Sequence, residues 1–323
     1  MKIASLLPSA TEIVCALGLG ENLVGITHEC DFPASIVGKP HLTASRISHE
    51  TMSSARIDHA VRSQLDGHGS IYDLDTKLLE KLKPDLIITQ ELCEVCAVSY
   101  KTVLKAAKIY AADAQVVSLE PNTIADVFDN IKTVGDLTGT LEKAKEVVQN
   151  LQNRLDRIRT LVKETEQNPK SKIQNPKSNR PRVFMLEWLE PPFAPGHWTP
   201  EQTRIAGGNC LLGKAGEKSR TTTYREIYES NPEIIVLVPC GYNTKDILRQ
   251  IPNTEFPAFF RELPAFQNNE IWALDASAYF SRPAPRIVRG TEILAKIFHP
   301  ETFGAPDETE AVKVPKDLIR FSD

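Results

Sequence analysis

Two hydrophobic periods alternate along the chain. Residues 2–7 are a short solid apolar run, which predicts a buried strand. Ser9, followed three residues later by Glu12, reads as a capping box opening a helix. That helix continues through Ile13, Val14, Ala16 and Leu17 and stops at Gly18 or Gly20. Residues 23–26 are a second short strand, so the chain opens on a βαβ unit. The alternation recurs: a helix over 76–83 stopped by Pro84, a strand over 85–89, a helix over 99–107, and a strand over 115–119. Asn122 or Thr123 then caps a helix through Val127, Ile131 and Val134. Strands alternating with helices predict a mainly parallel sheet.

From 140 to 166 there is neither Pro nor Gly, and apolar residues fall at 141, 144, 148, 151, 155, 158 and 162. This spacing predicts one amphipathic helix of about 40 Å at 1.5 Å per residue. It fits a coiled-coil segment or a rigid strut, and the α/β patterns on both sides favour a strut across two lobes. QNPKS then occurs at 167–171 and again at 174–178. This polar, Pro-bearing repeat cannot build a core and reads as a disordered surface insertion. Strands resume at 182–188, 233–239 and 270–274, with helices at 199–206, 223–230 and 287–298. The expected organisation is an α/β lobe over 1–122, a helical connector over 123–166 and the insertion over 167–180. A second α/β lobe covers 181–299, and a polar tail of little expected order covers 300–323.

Composition narrows the function classes. The 323 residues are 41% hydrophobic and 25% charged, ordinary for a globular protein. A net charge of −4 is a poor footprint for nucleic-acid binding. No run of 18 apolar residues occurs, so no transmembrane helix is expected. Residues 1–7 are too short an apolar run for a secretory leader, so the chain as written reads as cytoplasmic, or as periplasmic if a leader was removed or the start misassigned. Six Cys are too few for a disulfide scaffold.

In α/β sheets ligands bind beyond the C-terminal ends of the strands. The loops there are Pro8–Thr11, His28–Pro33, Gln90–Val98, Glu187–Trp198, Pro239–Tyr242 and Ala276–Arg286. Aromatic residues are 7% of the chain, yet these loops hold Trp188, Phe193, Trp198, Tyr242, Tyr279 and Phe280, together with His197. Such faces suit a large, flat, partly apolar ligand, or else close the lobe core at its rim. Two loops carry metal-ligating types: His28 and Cys30 in one, Cys93 and Cys96 in the other. Structural thiols, a metal or cofactor contact, and redox chemistry are all open readings of this set. No nucleophile elbow, phosphate loop or H-E-x-x-H motif is present.

The blocks LLPSATEIVCALGLGENLVGITHECDFP, LKPDLIITQ, EWLEPPFAPGHW, IAGG, NPEIIVLVPCGY and SRPAPRIV, with the long helix among them, fall in the order of a known family. Over residues 2–298, outside the insertion, the chain resembles ABC-transporter substrate-binding proteins of the cobalamin and siderophore type, nearest the cobalamin-binding branch. The resemblance implies two Rossmann-like lobes, a single rigid connecting helix, and a ligand held between the lobes with little hinge motion. It places Phe193 at an aromatic ligand contact and Arg282 at a polar one. Glu29 stands where cobalamin binders commonly have Tyr, and Gln90 where they can have Trp. Docking onto a permease would use one acidic residue per lobe: Glu226 in the second, Asp75 or Glu80 in the first.

The expected function is therefore binding of cobalamin or a related corrinoid by a monomer, without catalysis or cofactor, in partnership with an ABC permease. Trp188, Phe193, Trp198 and Tyr279 would supply apolar faces; Glu29, Gln90 and Arg282 would supply polar contacts. Two alternatives keep the scaffold: a cytoplasmic metal- or thiol-dependent enzyme using His28, Cys30, Cys93 and Cys96, and a siderophore or haem binder.

Overall fold

A computed structural model of the chain describes residues 1–45, 52–66, 72–90, 100–111, 113–167 and 180–322. The first lobe is built on a parallel sheet in the order Leu23–Gly25, Ile3–Ser5, Leu86–Thr89, Gln115–Ser118. Its inner strands, Ile3–Ser5 and Leu86–Thr89, are buried along their whole length because helices cover both faces. The second lobe has the order Ala311–Lys313, Ile271–Leu274, Ile234–Leu237, Arg182–Leu186, Asn209–Cys210, antiparallel only at Ala311–Lys313.

The long helix spans Leu141–Gln167, and Ala144, Val148, Leu151, Leu155, Ile158 and Val162 form its buried stripe. The stripe packs on helix Ile124–Leu137 of the first half of the chain and on helix Ile287–Phe298 of the second. One apolar cluster runs without a break from Ile3 and Ile88 through the stripe to Val183 and Val236. Arg154 on the solvent side of the helix pairs with Glu292 at 2.8 Å. The repeat insertion lies outside the described residues except at its ends, where Arg180 pairs with Glu166 at 2.5 Å.

Two expectations need correction. Helix Pro8–Ala16 has Leu7 as N-cap with no side-chain cap, and Ser9 and Glu12 are both buried. Pro8, with its φ preset, starts the helix instead, and Glu12 points to a partner far along the chain. Side-chain capping boxes occur at Thr123/Asp126, Thr223/Glu226 and Asn243/Asp246. Residues 300–322 are not a loose tail either. Ala311–Lys313 extends the second sheet, and Arg320–Ser322 pairs with Glu255–Pro257. These strands are only three residues long, too short for a polar-apolar alternation to stand out.

Gly135 sits where helix Ile124–Leu137 meets the long helix. A Cβ there would lie 2.5 Å from Ala144 Cβ. Gly135→Ala is expected to cost about 1–3 kcal/mol through overpacking, measured by urea unfolding. Adding Ala144→Gly should recover part of that loss; no loss in the single variant would contradict the close crossing.

Candidate functional site

The two sheets point the C-terminal ends of their parallel strands at a common cleft of about 920 Å³. Ser9 follows the first strand, His28 and Glu29 follow the second, and Gln90 follows Leu86–Thr89. From the other lobe come Glu187 and Trp188, Val238 and Cys240, and Asp275 and Ser277, each just past its strand. Ligand pockets of ~300–1,000 Å³ are usual, so this one is large enough for a macrocycle.

The aromatic side of the cleft is rigid. Trp188 stacks on Tyr242 with centroids 5.5 Å apart and planes 8° from parallel, and its indole N–H donates to Glu190 O. Trp198 is buried and donates to Phe280 O at 2.8 Å. Phe193 is half-buried beside Trp188. Gly196 is required next to them, since a Cβ would lie 2.1 Å from Ser219 N. The following His197 is held at φ +51°, with its N–H donating to Glu217 O at 2.6 Å. Tyr279 is not among the lining residues; it packs against the shared core, and Gly290 fits beside its Cβ.

The first lobe contributes a polar, acidic side. Tyr72 Oη donates to Glu29 at 3.1 Å, and Gln90 is buried at the cleft floor. Helix Ser54–Asp66 supplies Asp58, while its Ile57 and Val61 pack on the second lobe and so close one rim. Gln250 reaches across to donate to Met52 O at 2.9 Å. At the cleft base, Arg286 grips Glu12 through Nε at 2.9 Å and Nη2 at 2.6 Å. Arg282 pairs with Asp31 and donates to Glu29 O at 3.0 Å. The Phe32 ring lies 4.2 Å from the Arg286 guanidinium. Arg282 therefore lines the cleft with its charge already engaged.

The thiol and metal expectation is corrected in part. Cys30 Sγ lies 3.0 Å from Thr11 Oγ1, and burial pushes its thiol up to about 11, which keeps it protonated. No group of three His, Cys, Asp or Glu among the described residues could hold a metal ion. Cys93 and Cys96 lie outside the described residues. Among the docking candidates, Asp75 caps helix Thr76–Leu82, accepting from Leu78 N at 2.9 Å, and Glu80 is exposed on that helix. Glu226 caps helix Tyr224–Ser230 and lies 3.6 Å from Arg220.

Sequence reasoning listed the loop beginning at Glu187 but did not single that residue out. Its carboxylate accepts from Ser219 Oγ and Gly196 N, and no ion pair to it occurs among the described residues. Asp58, Tyr72 and Lys218 were also missed. They lie outside the strand-end loops, and only the three-dimensional fold brings them to the cleft.

Two α/β lobes around a strand-end cleft, bridged by one long helix, define a ligand-binding protein of the substrate-capturing class. The chain belongs to the periplasmic binding protein family, whose pattern matches residues 3–278. It is 23% identical to the vitamin B12-binding protein of Vibrio cholerae over 295 residues, covering 90% of this chain and 86% of that one. It is also 23% identical over 309 residues to an uncharacterized ABC transporter substrate-binding lipoprotein of Bacillus subtilis, covering 94% and 81%. Among solved structures, a periplasmic heme binding protein from Pseudomonas aeruginosa superposes with a TM-score of 0.70 at 17% identity, covering 93% of each chain. The chain is thus of the ABC substrate-binding type and not an enzyme. The cytoplasmic expectation is overturned: the family is that of periplasmic binding proteins, and the Bacillus subtilis relative is an ABC transporter substrate-binding lipoprotein. No helix among the described residues is long and apolar enough to cross a membrane.

Burial pushes the Glu187 carboxyl up to about 7, against the pull of its Ser219, Thr199 and Gly196 donors. A carboxyl raised on folding binds more protons when folded, so its share of stability is present at low pH and is lost as pH rises through about 7. His28, His197 and His299 are lowered by burial and act in the opposite sense. The test is therefore a difference. Glu187→Gln should gain stability relative to wild type as pH rises from 4.5 and level off above about 7, measured by denaturant unfolding. A flat difference would contradict a Glu187 carboxyl raised by desolvation.

Proposed function

We propose that this protein binds cobalamin or a related corrinoid in the interlobe cleft and delivers it to an ABC permease. The observation that carries this reading is the pairing of a rigid aromatic side with an acidic side. Trp188, Phe193 and Trp198 of the second lobe line the same cleft as Glu29, Asp31 and Asp58 and the amide of Gln90 of the first. The cleft cations are Arg282 and Lys218, and Arg282 already serves Asp31. Such a cleft suits a broad ligand that is neutral or cationic overall and carries amide groups, which describes a corrin ring. The vitamin B12-binding relative supports the same ligand class.

Haem is the second reading, favoured by the fold shared with a heme binding protein. Its two propionates would meet the carboxylates of the first lobe at a desolvation cost, which ranks it behind a corrinoid. Permease docking is assigned to Glu226 on the second lobe and to Glu80 or Asp75 on the first.

Cobalamin mixed with the purified protein and passed through a gel-filtration column tests the reading. Colour is expected to co-elute with the protein, with Kd at or below about 1 μM, near −8 kcal/mol. Haem tested in parallel should bind at least ~10-fold more weakly, about 1.4 kcal/mol. Absence of co-eluting corrinoid, or tighter haem binding, would contradict the proposal.

A further inference from the structure

His28 follows the strand Leu23–Gly25 and lines the cleft. Its Nδ1 lies 2.8 Å from Thr43 Oγ1. Thr43 has a single hydroxyl proton and donates it to Thr27 Oγ1 at 2.9 Å. Towards His28 the Thr43 oxygen can only accept, so the imidazole proton sits on Nδ1. The His28 backbone N–H donates to the same oxygen at 3.3 Å. The lone pair is then on Nε2, which makes no hydrogen bond among the described residues. The Tyr72 ring, tilted 52° with its centroid 5.7 Å away, packs beside the imidazole and restricts its rotation. Half-burial, assisted by His41, lowers the pKa of His28 and keeps the ring neutral.

Metal-ligating histidines have this form: one ring nitrogen anchored through its proton, the other presenting a lone pair. Yet the described residues offer no set of three ligands for a bare ion. One imidazole suffices only when the metal arrives already held by a chelate. We propose that His28 Nε2 is an axial ligand to the metal of a chelate bound in the cleft. The inference rests on the corrinoid reading and deepens it: the preferred ligand is a corrinoid with one cobalt face open to exchangeable water. In the binding step the Nε2 lone pair forms a Co–N bond and one water leaves the cobalt. The metal keeps its oxidation state and no proton moves.

Titration of the protein with diaquocobinamide, followed by visible spectroscopy, tests this. Wild-type protein is expected to shift the bands to those of cobinamide in imidazole solution. His28→Gln should bind ~10–100-fold more weakly, with the aquo spectrum retained. Thr43→Val, which removes the anchor but leaves the ligand, should keep the shifted spectrum and weaken binding by ~10-fold, in the range of lost outer-shell partners. Thr43→Ser should restore it. Binding by wild type with an unshifted aquo spectrum, or an intact shift in His28→Gln, would overturn axial ligation while leaving the corrinoid reading in place. Failure of wild type to bind any corrinoid would overturn both.

Discussion

The two-point ion pair between Glu12 and Arg286 is the constraint around which the cleft is built. Glu12 stands on the first helix of one lobe, and Arg286 stands at the entry to helix Ile287–Phe298 of the other. The Glu12 side chain is 2% exposed, and burial raises its carboxyl pKa despite the adjacent guanidinium. A buried pair adds little net stability, because desolvating both charges offsets their attraction. Losing one partner, by contrast, strands a charge at about 3–5 kcal/mol. The pair therefore acts as a geometric tie, joining the first helix of one lobe to the start of helix Ile287–Phe298 of the other at both Glu12 oxygens. Ser9, one turn earlier on the same helix, lines the cleft, as does Arg282, four residues before Arg286. The ion pair thus holds two cleft-lining segments together from behind the cleft wall.

The remaining structure supports that arrangement. The stripe of the long helix belongs to a core shared by both lobes, so lobe rotation would have to break apolar packing as well as the ion pair. Helix Ser54–Asp66 lays Ile57 on the second lobe at another rim. The indoles of Trp188 and Trp198 are held by hydrogen bonds to main-chain carbonyls of the protein itself. A preformed site avoids much of the ordering cost of binding. In such a setting a single well-oriented imidazole at His28 can decide which form of a ligand is held.

Local patterns carried most of the fold. The strand–helix alternation, the helix over 287–298 and the 3,4-spaced stripe of 144–162 were legible because each depends on neighbours in the chain. The cleft loops were legible for the same reason: they are the residues just past apolar strands. Glu12 was misread because Ser9 offers a plausible local partner, while its real partner lies 274 positions away. Arg282 was read only as a polar ligand contact, and its pairing with Asp31, 251 positions distant, was not legible for the same reason. Tyr279 sits in an aromatic loop, yet its ring faces the core, and loop composition does not encode that choice. The compartment was misjudged from the first residues and was corrected by kinship.

Small-angle X-ray scattering of wild type and Arg286→Met, each with and without cobalamin, tests the fixed-lobe geometry most directly. The wild-type radius of gyration is expected to be the same with and without ligand. Arg286→Met, which leaves Glu12 only its 3.7 Å contact with Arg282, is expected to be larger when free and to contract on binding. A ligand-induced contraction of wild type as large as that of the variant would contradict a cleft set in advance by the Glu12–Arg286 pair.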